Sequence, residues 1–216
     1  MKQNISNLLK ILFCLCVFHA LSISGYALNA VGYANISVPP GFTLLANPLK
    51  NFAAQDIISH LITGPEGLTV YKLIDGKFIF NSLERNSDGQ LEWSDPTMTL
   101  DPGEGCFIYN PTDKFFTLTF VGDLEFGIVD TAINQGFSIL SSKIAQGGAL
   151  ESRLQFPPEE GDVVYRLING RYLVYNYARQ DDGKLGWDVE PTIEVGESFL
   201  LYTKISRVWE RLLFLN

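Results

Sequence analysis

Short runs rich in Val, Ile, Tyr, Phe and Thr recur along the chain, each closed by Gly, Pro, Asn or Asp, and this rhythm predicts strands. In the first half the runs are Val31–Val38, Phe42–Ala46, Leu68–Ile74, Lys77–Leu83, Glu104–Asn110 and Phe115–Val121. Pro39-Pro40-Gly41 reads as a turn between the first two. Asp75-Gly76 reads as a two-residue hairpin turn, because Asp and Gly tolerate the positive φ that such turns demand. One stretch has a different period. Ala53–Ile62 places apolar residues at 53, 57, 58, 61 and 62, which is helical spacing.

The pattern then repeats. Gly41-Phe42-Thr43-Leu44-Leu45 returns as Gly136-Phe137-Ser138-Ile139-Leu140, and Val70–Gly76 returns as Val164–Gly170. Asp88–Trp93 matches Asp182–Trp187, Pro96-Thr97 matches Pro191-Thr192, and Gly103-Glu104 matches Gly196-Glu197. Tyr109 pairs with Tyr202, and Leu118 and Phe120 pair with Leu212 and Phe214. One shared order at a nearly constant offset marks an internal duplication. The repeats span about 31–124 and 125–216, and Val121-Gly122-Asp123-Leu124 reads as a tight turn between two strands at their junction. A weaker helical pattern near Ala149–Gln155 corresponds to Ala53–Ile62. The expected fold class is therefore all-β and mainly antiparallel, with one short helix per repeat. The two tandem units are expected to be pseudo-symmetric small barrels or sandwiches.

Residues 1–27 change the cellular picture. Lys2 and Lys10 precede an apolar run from Ile11 to Ile23, and Gly25-Tyr26-Ala27 supplies small residues for cleavage, the pattern of a secretory signal peptide. The run is shorter than the roughly 20 residues a membrane span needs, a retained anchor being the alternative. Phe13 and Leu15, before Cys14 and Cys16, are not the small residues of a lipoprotein signal. The expected location is secreted or periplasmic, with repeat one at 28–124, repeat two at 125–216, and no membrane attachment after cleavage. Beyond residue 27, 24 acids face 14 Lys and Arg, a net charge of about −10. That balance disfavours nucleic acid, whose phosphates need clustered cations.

The remaining chain holds one cysteine, Cys106, and one histidine, His60. It therefore has no internal disulfide, no second histidine for a His-based metal site, and no expected cofactor. Cys106 lies in an apolar run where repeat two has Phe199, so it reads as core filler. Glu104 and Glu197 occupy matching places before a strand. Brought face to face, they would be the paired carboxylates of a glycoside hydrolase. Alternatively, each accepts backbone N–H bonds in its own turn. Asp88 and Asp182 sit in acidic turns resembling calcium loops, but the ligand spacing is incomplete, and hairpin turns fit better. The matching Trp93 and Trp187, with Tyr172, Tyr175 and Tyr177, are candidates for stacking on sugar rings. Trp93 follows Leu91 at strand period two, which instead puts both on one buried face.

Pro40–Leu49, Val70-Tyr71-Lys72 and Leu100–Gly105 together resemble a family of secreted bacterial repeat proteins known as uncharacterised modules of Gram-negative environmental bacteria. Repeat two departs from the pattern: Asn47-Pro48-Leu49 becomes Ser142-Lys143-Ile144, and Gly105 becomes Ser198. The resemblance implies export and a β-rich module, with no catalytic residue to carry over. The expected function is thus a non-enzymatic exported module, structural or binding, whose partner is a glycan or another surface protein. A carbohydrate-binding protein is the first alternative and a paired-carboxylate glycoside hydrolase the second.

Overall fold

A computed structural model describes residues 30–53 and 55–213. The signal peptide expected at 1–27, with Cys14 and Cys16, lies outside these residues, as does Phe214. The first half carries β1 (Val31–Val38), β2 (Gly41–Leu45), α1 (Ile58–Leu61), β3 (Thr69–Ile74), β4 (Lys77–Arg85), β5 (Leu91–Trp93), β6 (Cys106–Asn110) and β7 (Phe116–Asp123). The second carries β8 (Gly127–Ile133), β9 (Gly136–Ser141), β10 (Gly148–Ala149), β11 (Val163–Ile168) and β12 (Arg171–Arg179). It continues through β13 (Leu185–Trp187), β14 (Thr192–Ile193), β15 (Ser198–Thr203) and β16 (Arg207–Leu213). Every ladder among the described residues is antiparallel.

The strands form two five-stranded sheets, ordered β2-β6-β3-β4-β5 and β9-β15-β11-β12-β13. Two ribbons, β1-β7 and β8-β16, and the short pair β10-β14 complete the architecture. In neither large sheet does the first strand pair with the last, so no barrel closes. Both hairpin turns form as the sequence predicts. Asp75 and Gly76 have φ of 49° and 73°, and Asn169 and Gly170 have 51° and 72°.

The helices are the first correction. The predicted Ala53–Ile62 shrinks to the four residues of α1, and Ala149–Gln155 is a hydrogen-bonded turn, with Leu154 N donating to Ala149 O. The reason lies at Asp56. Its carboxylate is fully buried and accepts Asn47 Nδ2 (3.0 Å) and Asn51 N (2.8 Å), with the Lys50 ammonium against its other oxygen. Meeting these partners sets Gln55 and Asp56 at positive φ, which a helix does not allow. The junction also differs. Val121-Gly122-Asp123 continue β7, and only residues 124–126 connect it to β8.

Each ribbon covers one face of one large sheet. Val38, Leu118 and Phe120 of the first ribbon pack with Leu45, Val70, Leu83, Ile108 and Trp93, and α1 closes the side through Ile58 and Leu61. In the second half, Ile133 and Trp209 pack with Leu140, Val164, Phe199 and Leu201, capped by Leu150, Leu154 and Phe156. The register corrects one sequence match. Ile36 faces Leu118, whereas its counterpart Thr131 faces Trp209. Buried Trp209, not exposed Leu212, therefore takes the place of Leu118. By the same register Arg211 stands where Phe120 does. It is buried beside Trp209, gives Nη2 to Gln146 (2.7 Å), and has its pKa lowered to about 10 by burial and by Arg153.

The other faces of the two large sheets meet each other. Leu44, Phe107 and Ile139 form a third buried cluster with Tyr71, Leu73, Leu167 and Leu200, drawn from both sheets. Backbone bonds cross this seam in reciprocal fashion: Ala46 N donates to Gly196 O (2.9 Å), and the matching Ser141 N donates to Gly103 O (3.0 Å). Gly105 and Ser198, matching positions, meet there. A Cβ on Gly105 would overlap the Cβ of Ser198 and lie 2.6 Å from Ile139 Cγ2. Only one of the two positions has room for a side chain, which explains why the Gly-Glu-Gly pattern becomes Gly-Glu-Ser in repeat two.

Gly105→Ala should therefore destabilise the protein by about 1–3 kcal/mol through overpacking. Adding Ser198→Gly should recover part of that loss, because the Ile139 contact remains. Urea unfolding of the two single variants and the double variant checks this, and strictly additive effects would contradict the contact.

Candidate functional site

The two matched glutamates are held within their own halves. Glu104 Oε2 accepts Lys72 Nζ at 2.8 Å and Asp101 N at 3.0 Å, and Lys72 also donates to Thr99 O (2.9 Å). Glu197 takes the Arg166 guanidinium fork on both oxygens at 2.8 Å and accepts Glu194 N at 3.0 Å. Burial pulls the Arg166 pKa down, but the Glu197 carboxylate outweighs it and the pKa ends above its usual value. Each glutamate thus ties the turn before β6 or β15 to the cation of β3 or β11. The acids before proline are similar. Asp95 accepts the hydroxyl and N–H of Thr97, which hold its pKa low, and Glu190 accepts the N–H groups of Glu151 and Ser152.

The matched indoles serve the cores. Trp93 is 7% exposed and donates Nε1–H to Ile62 O at 3.1 Å. Its partner at strand period two, Leu91, is exposed rather than buried. Trp187 is half-buried against Phe156 and Tyr177, and its indole N–H is buried without a partner. Tyr175 packs against the second core. Of the five aromatic candidates only Tyr172 stands in an open cleft. Asp88 and Asp182 lie in exposed turns after β4 and β12, where Asn86 Oδ1 accepts Asp88 N and Asp182 Oδ1 accepts Lys184 N. Among the described residues no group of three His, Cys, Asp or Glu is placed to hold a metal ion. Cys106 is fully buried, and burial pushes its thiol up to about 12, so no thiolate forms near neutral pH. His60 is exposed on α1.

Open space gathers along the seam, where each hairpin tip reaches over the opposite sheet. Beneath the β11–β12 tip is an apolar groove of 450 Å³, lined by Phe42, Tyr71, Phe78, Phe107, Leu167 and Tyr172. Phe78 and Tyr172, matching positions in the repeats, share it. The ring of Phe42 lies 5.7 Å from Tyr71 and 4.8 Å from Tyr109. Beneath the β3–β4 tip the lining differs. One cavity of 450 Å³ is bounded by Asp75, Gly76, Asn134, Gln135, Phe137 and Ser138. A second, of 310 Å³, adjoins it through Leu73, Asn134 and Ser138 and extends to Lys72, Glu104, Asp130 and Thr131. Together they make a polar trough.

The trough residues carry no repeat signal in the sequence, because these are positions where the two halves differ. Asn134-Gln135 replace Pro39-Pro40, Thr131 replaces Ile36, and Asp130 replaces Asn35. Ile36 Cδ1 packs so closely over Gly196 that a Cβ there would overlap it, whereas Thr131 approaches Gly103 with Oγ1, 3.1 Å from where a Cβ would sit. The shorter side chain leaves the trough open on one side only. No family model, curated protein or solved structure matches the chain, so the family resemblance rests on the quoted motifs alone.

Glu197→Gln should cost about 3 kcal/mol, because it leaves a largely buried guanidinium unpaired. Glu104→Gln should cost less, its carboxylate being 43% exposed against 13% for Glu197. Chemical denaturation of both variants measures the order, and the reverse order would contradict these roles. A thiol reagent such as Ellman's should label Cys106 only after unfolding. Rapid labelling of the native protein would show that the thiol is not sealed in the core.

Proposed function

We propose that the chain is an exported, non-enzymatic module built from two copies of one β unit related by a local twofold axis, which binds its ligand along the seam between them. The matching order of the two sheets and the reciprocal bonds across the seam support the duplication. The observation that carries the binding reading is a division of labour. The carboxylates, indoles and thiol that suggested chemistry are taken up by turns and cores, while several polar side chains without a protein partner line one open trough. Asn134, Gln135 and Ser138 make no side-chain hydrogen bond among the described residues, and neither do Asp75, Asp130 and Thr131. Every other described asparagine has a bonded side chain except Asn169 in its hairpin turn. A scaffold gains nothing from unpaired amides at a cavity, whereas a binding site needs them free.

Export is read from residues 1–27. Among the described residues no helix is long and apolar enough to cross a membrane. Against the hydrolase alternative, Glu104 and Glu197 are each engaged by a cation and a backbone N–H of their own half, in the manner of turn anchors.

The protein beginning at Leu28 should be retained by the envelope fraction of the cells that make it and should not hydrolyse chromogenic glycosides. Thr131→Ile installs the residue that repeat one already accommodates, so it should preserve the unfolding midpoint while abolishing retention. Retention indifferent to Thr131→Ile would contradict binding in the trough, and turnover lost on Glu104→Gln would establish an enzyme instead.

A further inference from the structure

The trough has the chemistry of a site for sugars. We propose that it holds a neutral oligosaccharide, with the ring of Phe137 as the stacking platform and the amides and carboxylates around it as hydroxyl partners; this inference rests on the trough being the binding site. A pyranose ring offers an apolar C–H face and a rim of hydroxyls that both donate and accept. Recognition therefore needs an exposed aromatic face beside planar polar groups that can engage two neighbouring hydroxyls. Phe137 supplies the first. It lines the larger cavity, 49% exposed, and packs at a tilt against Tyr202 (centroids 5.0 Å apart) and Tyr165 (6.4 Å). A half-exposed ring held by two neighbours can stack on a sugar at little entropic cost on binding.

Asn134 and Gln135 supply the second, at the lip beside Phe137, with Asp75 opposite on the hairpin tip. Further along, Asp130 and Glu104 line the smaller cavity. Glu104 Oε2 carries both protein bonds, which leaves Oε1 to accept from a ligand. The two cavities adjoin in a line, and each lies within the size range of small-molecule sites, so the trough suits a chain of rings rather than one.

Charge narrows the class. Lys72, the cation lining the trough, is already paired with Glu104, and Lys143 reaches the Asp130 carbonyl at its edge (3.4 Å), so with Asp75, Asp130 and Glu104 acids outnumber cations there. Uronic or sulfated sugars would meet a net acidic lining, which favours an uncharged ligand. The groove on the other side of the seam lacks this chemistry. Its lining is almost wholly hydrocarbon, and Pro39-Pro40 stand where Asn134-Gln135 do.

Isothermal titration of the protein beginning at Leu28 with gluco-, xylo-, manno- and chito-hexasaccharides, and with an oligouronate as the anionic control, tests the proposal. At least one neutral hexasaccharide should bind and the oligouronate should not. Phe137→Ala and Asn134→Ala should each weaken binding by about tenfold or more, and Thr131→Ile should remove it. Asn134→Ala and Thr131→Ile should leave the unfolding midpoint unchanged, while Phe137→Ala lowers it through the lost ring contacts without unfolding the protein. Phe42→Ala, in the apolar groove, should leave binding intact. Failure of every neutral sugar to bind overturns the proposal, as does binding indifferent to Phe137→Ala and Thr131→Ile. If no sugar binds while envelope retention still depends on Thr131, only the sugar assignment fails. If retention is also indifferent, the trough is not the binding site.

Discussion

The packing of the two large sheets across the seam is the constraint on which the rest depends. Each half buries one sheet face beneath its own ribbon, but the opposite face carries Leu44, Tyr71, Leu73 and Phe107 in one half and Ile139, Leu167 and Leu200 in the other. Left in water, each would be an apolar patch large enough to drive association. Turned toward each other, they close a third cluster and bring the backbones near enough for the reciprocal bonds at Ala46 and Ser141. The approach is close enough that Gly105 has no room for a side chain against Ser198. The hairpin tips overhang the opposite sheet because the sheets meet this way, and the open spaces beneath the tips follow.

This geometry gives the shared and the unshared residues different tasks. The pairs Lys72–Glu104 and Arg166–Glu197 perform one job twice, anchoring the turn that carries backbone into the seam. Trp93 and Trp187 likewise belong to the packing of their own halves. Two halves under the same folding constraint keep such residues. Where they diverge without damage to packing, at Asn134-Gln135, Asp130 and Thr131, the constraint is no longer the fold. Those positions lie together at the end of β8 and in its turn into β9, where the β3–β4 tip reaches over them.

Much of the architecture was legible from local patterns. The strand runs appear close to where the apolar periodicity puts them, and Asp75-Gly76 and Asn169-Gly170 adopt the φ values their residue types imply. The helix at Ala53–Ile62 was misread because periodicity reports faces, not the buried carboxylate of Asp56 that draws Asn47, Lys50 and Asn51 around it. The register of β16 was misread because Leu212 and Leu213 continue an apolar run that looks like core, while the buried positions are Trp209 and Arg211. A guanidinium in the place of Phe120 is not something hydrophobic patterning anticipates. Nor does a single half predict its unburied sheet face. Only the other half supplies the cover, and the trough exists only once both are in place.

The central claim, that the seam makes one cooperative body of the two halves, is tested most directly by native-state hydrogen exchange across the two large sheets. Val70 in β3 and Val164 in β11 are both fully buried, one in each core. The account predicts that their amides exchange through a common opening, with the same free energy and the same denaturant dependence. Opening of one sheet at markedly lower free energy, with the other still protected, would show that the halves stand independently and would contradict it.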